Sequence, residues 1–295
     1  MKKTLLGMLL AFALLGAACG SDAVENVTAD DSSSTDDGEM AADSGEMTET
    51  DHCSAIKTKG TLTVATGDPV FPPWMIDDDP TNGEGFESAV VYAVADELGL
   101  DVTWVRTTFD QSYAPGAKDY DFNVQQISIT EEREAAVDFS TPYYVAEQAI
   151  IATDENAFAN VTSVEDLKGL KLGAGLGTTS LTYIEDVIQP DTDAAVFDDN
   201  VAAKAAFDAG QIDGLVLDLP TAYYVSAVEI DGAFIAGVLP EIQEGADSLG
   251  FAFEEGSEFT PCINAALETL RTDGVLEALE EQYLNNAGEI PTFSN

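Results

Sequence analysis

Two neighbouring stretches decide how this chain is read: Ile127-Ser128-Ile129-Thr130-Glu131-Glu132-Arg133 and Asp138-Phe139-Ser140-Thr141-Pro142-Tyr143-Tyr144. The first sets an arginine among carboxylates, just after a turn flanked by Ser128 and Thr130. Arginine is scarce, since only Arg106 and Arg271 accompany Arg133. A guanidinium is a planar fork that stays charged and can grip both oxygens of a carboxylate at once. The same side chain can instead pair with Glu131 or Glu132 on a helix surface. Taken on the residues alone, both uses stand open. Ser128 and Thr130 offer hydroxyl or backbone donors beside it.

Outward from these stretches, strand and helix signals alternate. Residues 61–65 are β-prone and end in the turn Thr66-Gly67-Asp68-Pro69. Residues 87–98 put Val90, Val91, Val94, Ala95 and Leu98 on one helical face, and Gly99 ends it. Strands are predicted over 102–105, 149–152, 170–173 and 214–217. Helices are predicted from Thr178 through Ile188 and over 202–209 and 221–228, and the tail 261–284 reads as two helices broken at Asp273-Gly274. Alternation of this kind builds an α/β fold whose sheets carry helices on both faces. No unit of 20–50 residues repeats, which excludes a solenoid.

Composition narrows the function. The chain has 295 residues, 45% of them hydrophobic, enough for one large or two modest cores. Against 55 Asp and Glu stand 11 Lys and Arg, a formal charge of -44. Neutralising phosphates needs clustered basic residues, so nucleic acid is excluded as a partner, and so is charge-driven adhesion to an anionic membrane. A single histidine, His52, removes His-based triads and His-ligated zinc. Three cysteines without C-x-x-C spacing leave no thiolate metal site. Gly173-x-Gly175-x-Gly177 lacks the Lys-Ser/Thr of a phosphate loop, and Asp77-Asp78-Asp79 matches a calcium loop in composition only. No metal or cofactor is expected.

The first residues address the chain. Lys2-Lys3 precedes the apolar run 5–18, which falls short of the roughly 20 residues that span a bilayer and reads as a signal peptide over 1–18. Leu15-Gly16-Ala17-Ala18-Cys19 resembles a bacterial lipoprotein box, making Cys19 the lipid-bearing residue. Residues 19–52 then form an acidic linker: from 20 to 51 there is no Lys, Arg or aromatic residue, too little apolar surface to offset ordering entropy. An exported protein tethered to the outer face of the membrane by lipid alone is the expectation. Cys53 and Cys262 remain as an even pair, which reads in that compartment as a disulfide.

Gly85-Phe86-Glu87, then Phe109-Asp110, then the two opening stretches, in this order and spacing, resemble the polar amino-acid family (family 3) of periplasmic solute-binding proteins, the receptors of ABC importers. The resemblance runs from about residue 60 to 283. It implies two α/β lobes of the type II periplasmic-binding kind, joined by two crossings and closing over a ligand like a hinge. Carried onto this chain, lobe 1 is 53–145 plus 248–295, lobe 2 is 146–247, and the crossings lie near 144–148 and 246–250. The Cys53–Cys262 link would then sit within lobe 1.

The same resemblance assigns a site. Arg133 becomes the group for the ligand carboxylate, helped by Ser128, and by Thr178 and Thr179 where a helix opens after a strand. Plain N-capping is the other use for those hydroxyls. Asp218 ends a strand where ligands sit in open α/β sheets and suits an ammonium, although it could also cap the helix at Pro220. Phe71, Trp74 and Phe109 would be aromatic walls, and Asp68 would meet a cationic or amide side chain. Gln126 stands where the family often has a small residue, to fill space or offer its amide to the ligand. The expected function is capture of a polar amino acid by a monomeric receptor that hands it to an ABC permease. The competing reading is an enzyme on this fold, a cyclohexadienyl (prephenate or arogenate) dehydratase, with Asp68 as the protonated acid.

Overall fold

The computed structural model describes residues 52–243, 245–284 and 290–295; the signal peptide, Cys19 and the linker expected over 1–51 lie outside them. Strand β1 (Thr61–Thr66) buries Leu62, Val64 and Ala65 completely. It pairs in parallel with β2 (Asp101–Arg106) and β3 (Phe122–Asn123). β4 (Asp138–Phe139) and the late strand β12 (Ala252–Phe253) complete this first sheet in the order β2-β1-β3-β12-β4. The helix Phe86–Leu98 packs Val90, Val91, Val94 and Ala95 against it, the face expected from spacing. That helix stops at Gly99, whose left-handed φ of 66° lets its N–H reach the Ala95 carbonyl.

β5 (Tyr144–Val145) and β11 (Ser248–Leu249) form a short antiparallel ribbon of their own, at the two expected crossings. Past the first crossing, β6 (Gln148–Ala152) is buried throughout. It lies in a second sheet with β7 (Leu172–Gly175), β8 (Ala195–Phe197), β9 (Gly214–Asp218) and β10 (Phe234–Val238), ordered β10-β6-β9-β7-β8. Side chains alternate across a strand. Ile150 and Val216 therefore enter one apolar cluster while Ala149, Ile151, Leu215 and Leu217 enter another on the opposite face. Helices cover both faces, as alternation in the sequence implied.

β7 begins two residues later than propensity suggested, because it takes in Gly173 and Gly175. A Cβ on Gly173 would sit 2.9 Å from the Ala195 carbonyl and from the Phe197 ring, so close approach of β8 explains the glycine. The disulfide forms: Cys53 and Cys262 are joined, across a sequence separation of 209, and Cys262 lies in the first lobe's core. Among the described residues no helix is long and apolar enough to cross a membrane.

The expected lobe boundary needs one correction. Residues 290–295 were assigned to lobe 1, yet they dock on the second sheet. β10 is an edge strand, whose unpaired backbone groups need partners. Val238 N–H donates to the Pro291 carbonyl and Phe293 N–H returns the bond to Val238, each at 2.9 Å. Phe293 is 3% exposed and belongs to the core on that face. Its ring lies over Gly237, where a Cβ would come within 2.6 Å. Phe293→Ala should therefore lower the free energy of unfolding by about 3 kcal/mol. Urea denaturation measures this, and a variant as stable as the parent would contradict the docking of the tail.

Candidate functional site

Between the two sheets lies a cavity of about 540 Å³, and all ten residues singled out for ligand contact line it. Arg133 sits in a four-residue helix, Glu131–Glu134, whose start is capped when the Thr130 hydroxyl accepts the Arg133 N–H at 3.3 Å. Arg133 is only 6% exposed, and its guanidinium lies in the cavity wall, bonded to two backbone carbonyls. Nη1 donates to the Ser128 carbonyl at 2.7 Å, and Nη2 donates to the Gly177 carbonyl of the opposite lobe at 2.9 Å. The guanidinium lies against an edge-to-face pair of rings, 5.4 Å from the Phe109 centroid and 4.8 Å from that of Tyr113. Burial works against its charge, while Asp218, Glu132 and Asp247 favour it.

The hydroxyl trio at the start of the helix Thr179–Thr182 divides its labour. Thr178 caps: its Oγ1 accepts from Leu181 N–H at 3.2 Å and donates to the Gly175 carbonyl at 2.8 Å, so this hydroxyl is taken up by the turn. Thr179 faces the first lobe, with Oγ1 3.3 Å from Ser128 Oγ. Ser180 Oγ donates to Gln148 Oε1 at 2.6 Å.

Asp218 opens the helix Leu219–Tyr224 without capping it by its side chain. Gln148, directly opposite it in the β6–β9 register, donates from Nε2 to Asp218 Oδ1 at 2.6 Å. Burial and the nearby Asp247 push the Asp218 carboxyl up to about 7, against the pull of Gln148 and Arg133. The capping use weighed for Asp218 is thus not the one adopted.

Three expectations are modified by the geometry. Trp74 lines the cavity but is 1% exposed, packed edge-on against Phe86 and Tyr144. Its Nε1 donates to Thr221 of the other lobe at 2.8 Å, so it is a buried cross-lobe pillar more than an open wall. Gln126 does not offer its amide to the cavity. Its φ of 48° brings N–H to Glu87 Oε1 at 2.7 Å, and its Nε2 donates to Glu87 Oε2. Phe71 already carries a cation: Lys204 Nζ, paired with Glu229 at 2.6 Å, lies 4.6 Å from the ring centroid. Asp68 stands exposed at the cavity edge.

Four residues were missed. Glu87 is fully buried and also accepts the Tyr143 hydroxyl at 2.5 Å, and burial pushes its carboxyl up to about 7 despite three hydrogen bonds. Gln148 and Asp247 stand behind Asp218, and Tyr113 shares Arg133 with Phe109. A polar Gln148 heading the apolar run 149–152 was the one signal open to sequence reading. Gln125 also lines the cavity, and its buried Oε1 accepts no hydrogen bond. Among the described residues no group of His, Cys, Asp and Glu has the geometry to hold a metal ion.

Comparison with known proteins agrees with this picture. Residues 62–286 match the family described as bacterial extracellular solute-binding proteins, family 3. The L-cystine-binding protein TcyJ of Escherichia coli K12 is 29% identical over 231 residues, covering 77% of this chain and 84% of TcyJ. A solved ancestral arginine-binding protein bound to arginine is 32% identical with a TM-score of 0.64, covering 77% of this chain and 99% of its own. The ancestral amino acid-binding protein AncCDT-1, described as a precursor of cyclohexadienyl dehydratase, is 30% identical with a TM-score of 0.63, covering 77% and 96%.

The buried carboxyl of Glu87 sets a pH dependence. Its proton affinity is raised on folding, from 4.5 to about 7. Its stabilising contribution is therefore complete below about pH 4.5 and lost as pH rises towards 7, a loss of roughly 3 kcal/mol. Urea midpoints of the ligand-free protein should fall over that window, and Glu87→Gln should flatten much of the fall. Equal slopes in both proteins would contradict the assignment.

Proposed function

This chain belongs to the bacterial extracellular solute-binding proteins of family 3, and from that premise we propose that its cleft captures the zwitterionic end of a polar amino acid for delivery to an ABC importer. The observation that carries the reading is the place of Arg133. A guanidinium has five N–H groups. Two of them are fixed by carbonyls from opposite lobes, which sets the plane and leaves the others for a ligand carboxylate. Thr179 and Ser128 meet beside it, one from each lobe. Asp218, in the same cavity, is the anion for the ligand ammonium.

A carboxylate gripped by Arg133 and Thr179 touches both lobes. A ligand shifts a conformational equilibrium only by its differential affinity, so this double contact is what favours the closed state. Phe109 and Phe71 border the space for the side chain, with Asp68 and Asp110 towards the mouth. Those carboxylates suit a cationic or amide group, and relatives named for arginine and cystine agree with a polar ligand.

Export and a lipid anchor on Cys19 are supported by Leu15-Gly16-Ala17-Ala18-Cys19, and a permease in the same membrane is the partner that receptors of this family serve. The role is binding without chemistry. Likeness to AncCDT-1 keeps the dehydratase as the second reading, but Asp68, the acid it was to use, stands exposed at the edge of the cavity and not within it.

Calorimetry against the twenty amino acids, with prephenate as a control, separates these. Micromolar or tighter binding of a polar amino acid and unchanged prephenate are expected; turnover of prephenate would favour the enzyme. Arg133→Ala should weaken every bound amino acid by at least about 100-fold, because a buried charge partner is lost. Asp68→Asn should change the order of preference among ligands, and a uniform loss would refute its assignment to the side chain.

A further inference from the structure

Glu87 is wholly buried, and its carboxylate is bonded by groups 39 and 56 residues away in the chain. A carboxylate taken out of water needs donors, and this one draws them from two places that bear on the cleft. The first is the turn after β3, where Gln126 N–H donates to Oε1 at 2.7 Å and Gln126 Nε2 donates to Oε2. The second is the start of the first crossing, where the Tyr143 hydroxyl donates to Oε1 at 2.5 Å. The backbone of Glu87 is fixed from behind, since its N–H donates to the Trp74 carbonyl at 2.9 Å. Gly85, just before, lies so close to Met75 that a Cβ there would come within 2.6 Å of its backbone.

The turn needs holding. Gln126 has a φ of 48°, a left-handed conformation that crowds any side chain larger than that of glycine. It carries the chain from β3 onto the second crossing. There Gly250 N–H donates to the Ile127 carbonyl at 3.1 Å, and Ile129 N–H donates to the Ser248 carbonyl at 2.8 Å. Ser128, between them, is bridged to Leu249, and its carbonyl accepts Arg133 Nη1 at 2.7 Å. Tyr143 N–H donates to the carbonyl of the same Leu249 at 2.9 Å. The bonds close a circuit from Glu87 to Gln126, through Ser128 to Leu249, and through Tyr143 back to Glu87. The turn that aims the Arg133 fork and both crossings therefore meet at one carboxylate.

We propose that Glu87 is a positioning residue for the carboxylate site: by holding Gln126 left-handed it fixes the Ser128 carbonyl that orients Arg133, and through Tyr143 it keys that turn to the hinge. The effect on binding rests on the receptor reading given above. Gln126 and Ser128 line the cavity, and Glu87 acts on it through them. A buried acid that merely braced the core would lower stability and leave affinity alone. Loss of a positioning acid frees the turn and spoils the fork in a chain that is still folded. Glycine adopts left-handed backbone without help, so glycine at position 126 should stand in for what Glu87 does.

Calorimetry with L-arginine, L-histidine, L-glutamine and L-cystine, at a temperature where thermal melts show each variant folded, tests this. Glu87→Ala should weaken every probe that binds the parent by about tenfold or more. Adding Gln126→Gly should recover most of that loss, while the same glycine brings no gain to the parent. Glu87→Gln covers the case in which Glu87→Ala does not fold. Its remaining carbonyl oxygen can still accept Gln126 N–H, so a smaller loss is expected, again recovered by Gln126→Gly. Unchanged affinity in the folded Glu87 variants, or a loss that Gln126→Gly leaves in place, would overturn the proposal. Crystal structures of the ligand-free parent and Glu87→Ala, or Glu87→Gln in its stead, test the geometry without any ligand. In the variant Gln126 should abandon its left-handed φ and the Ser128 carbonyl should draw away from Arg133; an unmoved turn would overturn the proposal. If no probe binds the parent while the turn is released as stated, the receptor reading fails and the positioning of Arg133 by Glu87 stands.

Discussion

A guanidinium buried between two lobes is the constraint on which the rest of this molecule depends. Removing a cation from water is costly unless its donors are met and its charge is opposed. Here Ser128 and Gly177 meet two donors from opposite sides of the cleft, the paired rings of Phe109 and Tyr113 pack against the guanidinium, and Asp218 and Asp247 supply opposing charge. The short helix that carries Arg133 and the capped turn that carries Gly177 must therefore be brought face to face. The fold accomplishes this by ending β9 and opening the helix Thr179–Thr182 at the same mouth into which the loop after β1 descends.

The joints of the molecule leave that face-to-face contact adjustable. The crossing ribbon β5–β11 is two strands of two residues each, and residues 290–295 also reach the second sheet. The disulfide ties Cys53 to Cys262 and stays clear of the crossings. Across the cleft the links are side-chain bonds, Trp74 to Thr221, Ser128 to Thr179 and Arg133 to Gly177, together with Lys204 over Phe71. Each can break individually at modest cost, which suits a site that must admit and release a small molecule.

Much of this was legible in the residues. Apolar spacing placed the helix Phe86–Leu98 and the buried strands, and an even pair of cysteines in an exported chain gave the disulfide. Resemblance in the ordered motifs brought the ten cavity residues together, although composition alone left Arg133 between a ligand and a surface ion pair. What stayed hidden depends on contacts distant in sequence. Nothing local says that Gln126 bonds Glu87, that Thr178 rather than Thr179 caps its helix, or that one Gln148 amide serves both Asp218 and Ser180. The docking of Phe293 on β10 was equally out of reach, since an edge strand can be completed by any extended segment that arrives.

The electrostatic character of the cleft differs from that of the surface. Outside, acidic residues are solvated and weakly coupled, whereas Arg133, Asp218, Asp247 and Glu87 interact where water is scarce, so their charges govern one another. A crystal structure grown with L-arginine is the most direct test of that arrangement. The ligand carboxylate should lie within about 3 Å of the Arg133 guanidinium, with its ammonium on Asp218. A carboxylate bound elsewhere, with Arg133 turned to open water, would contradict the account.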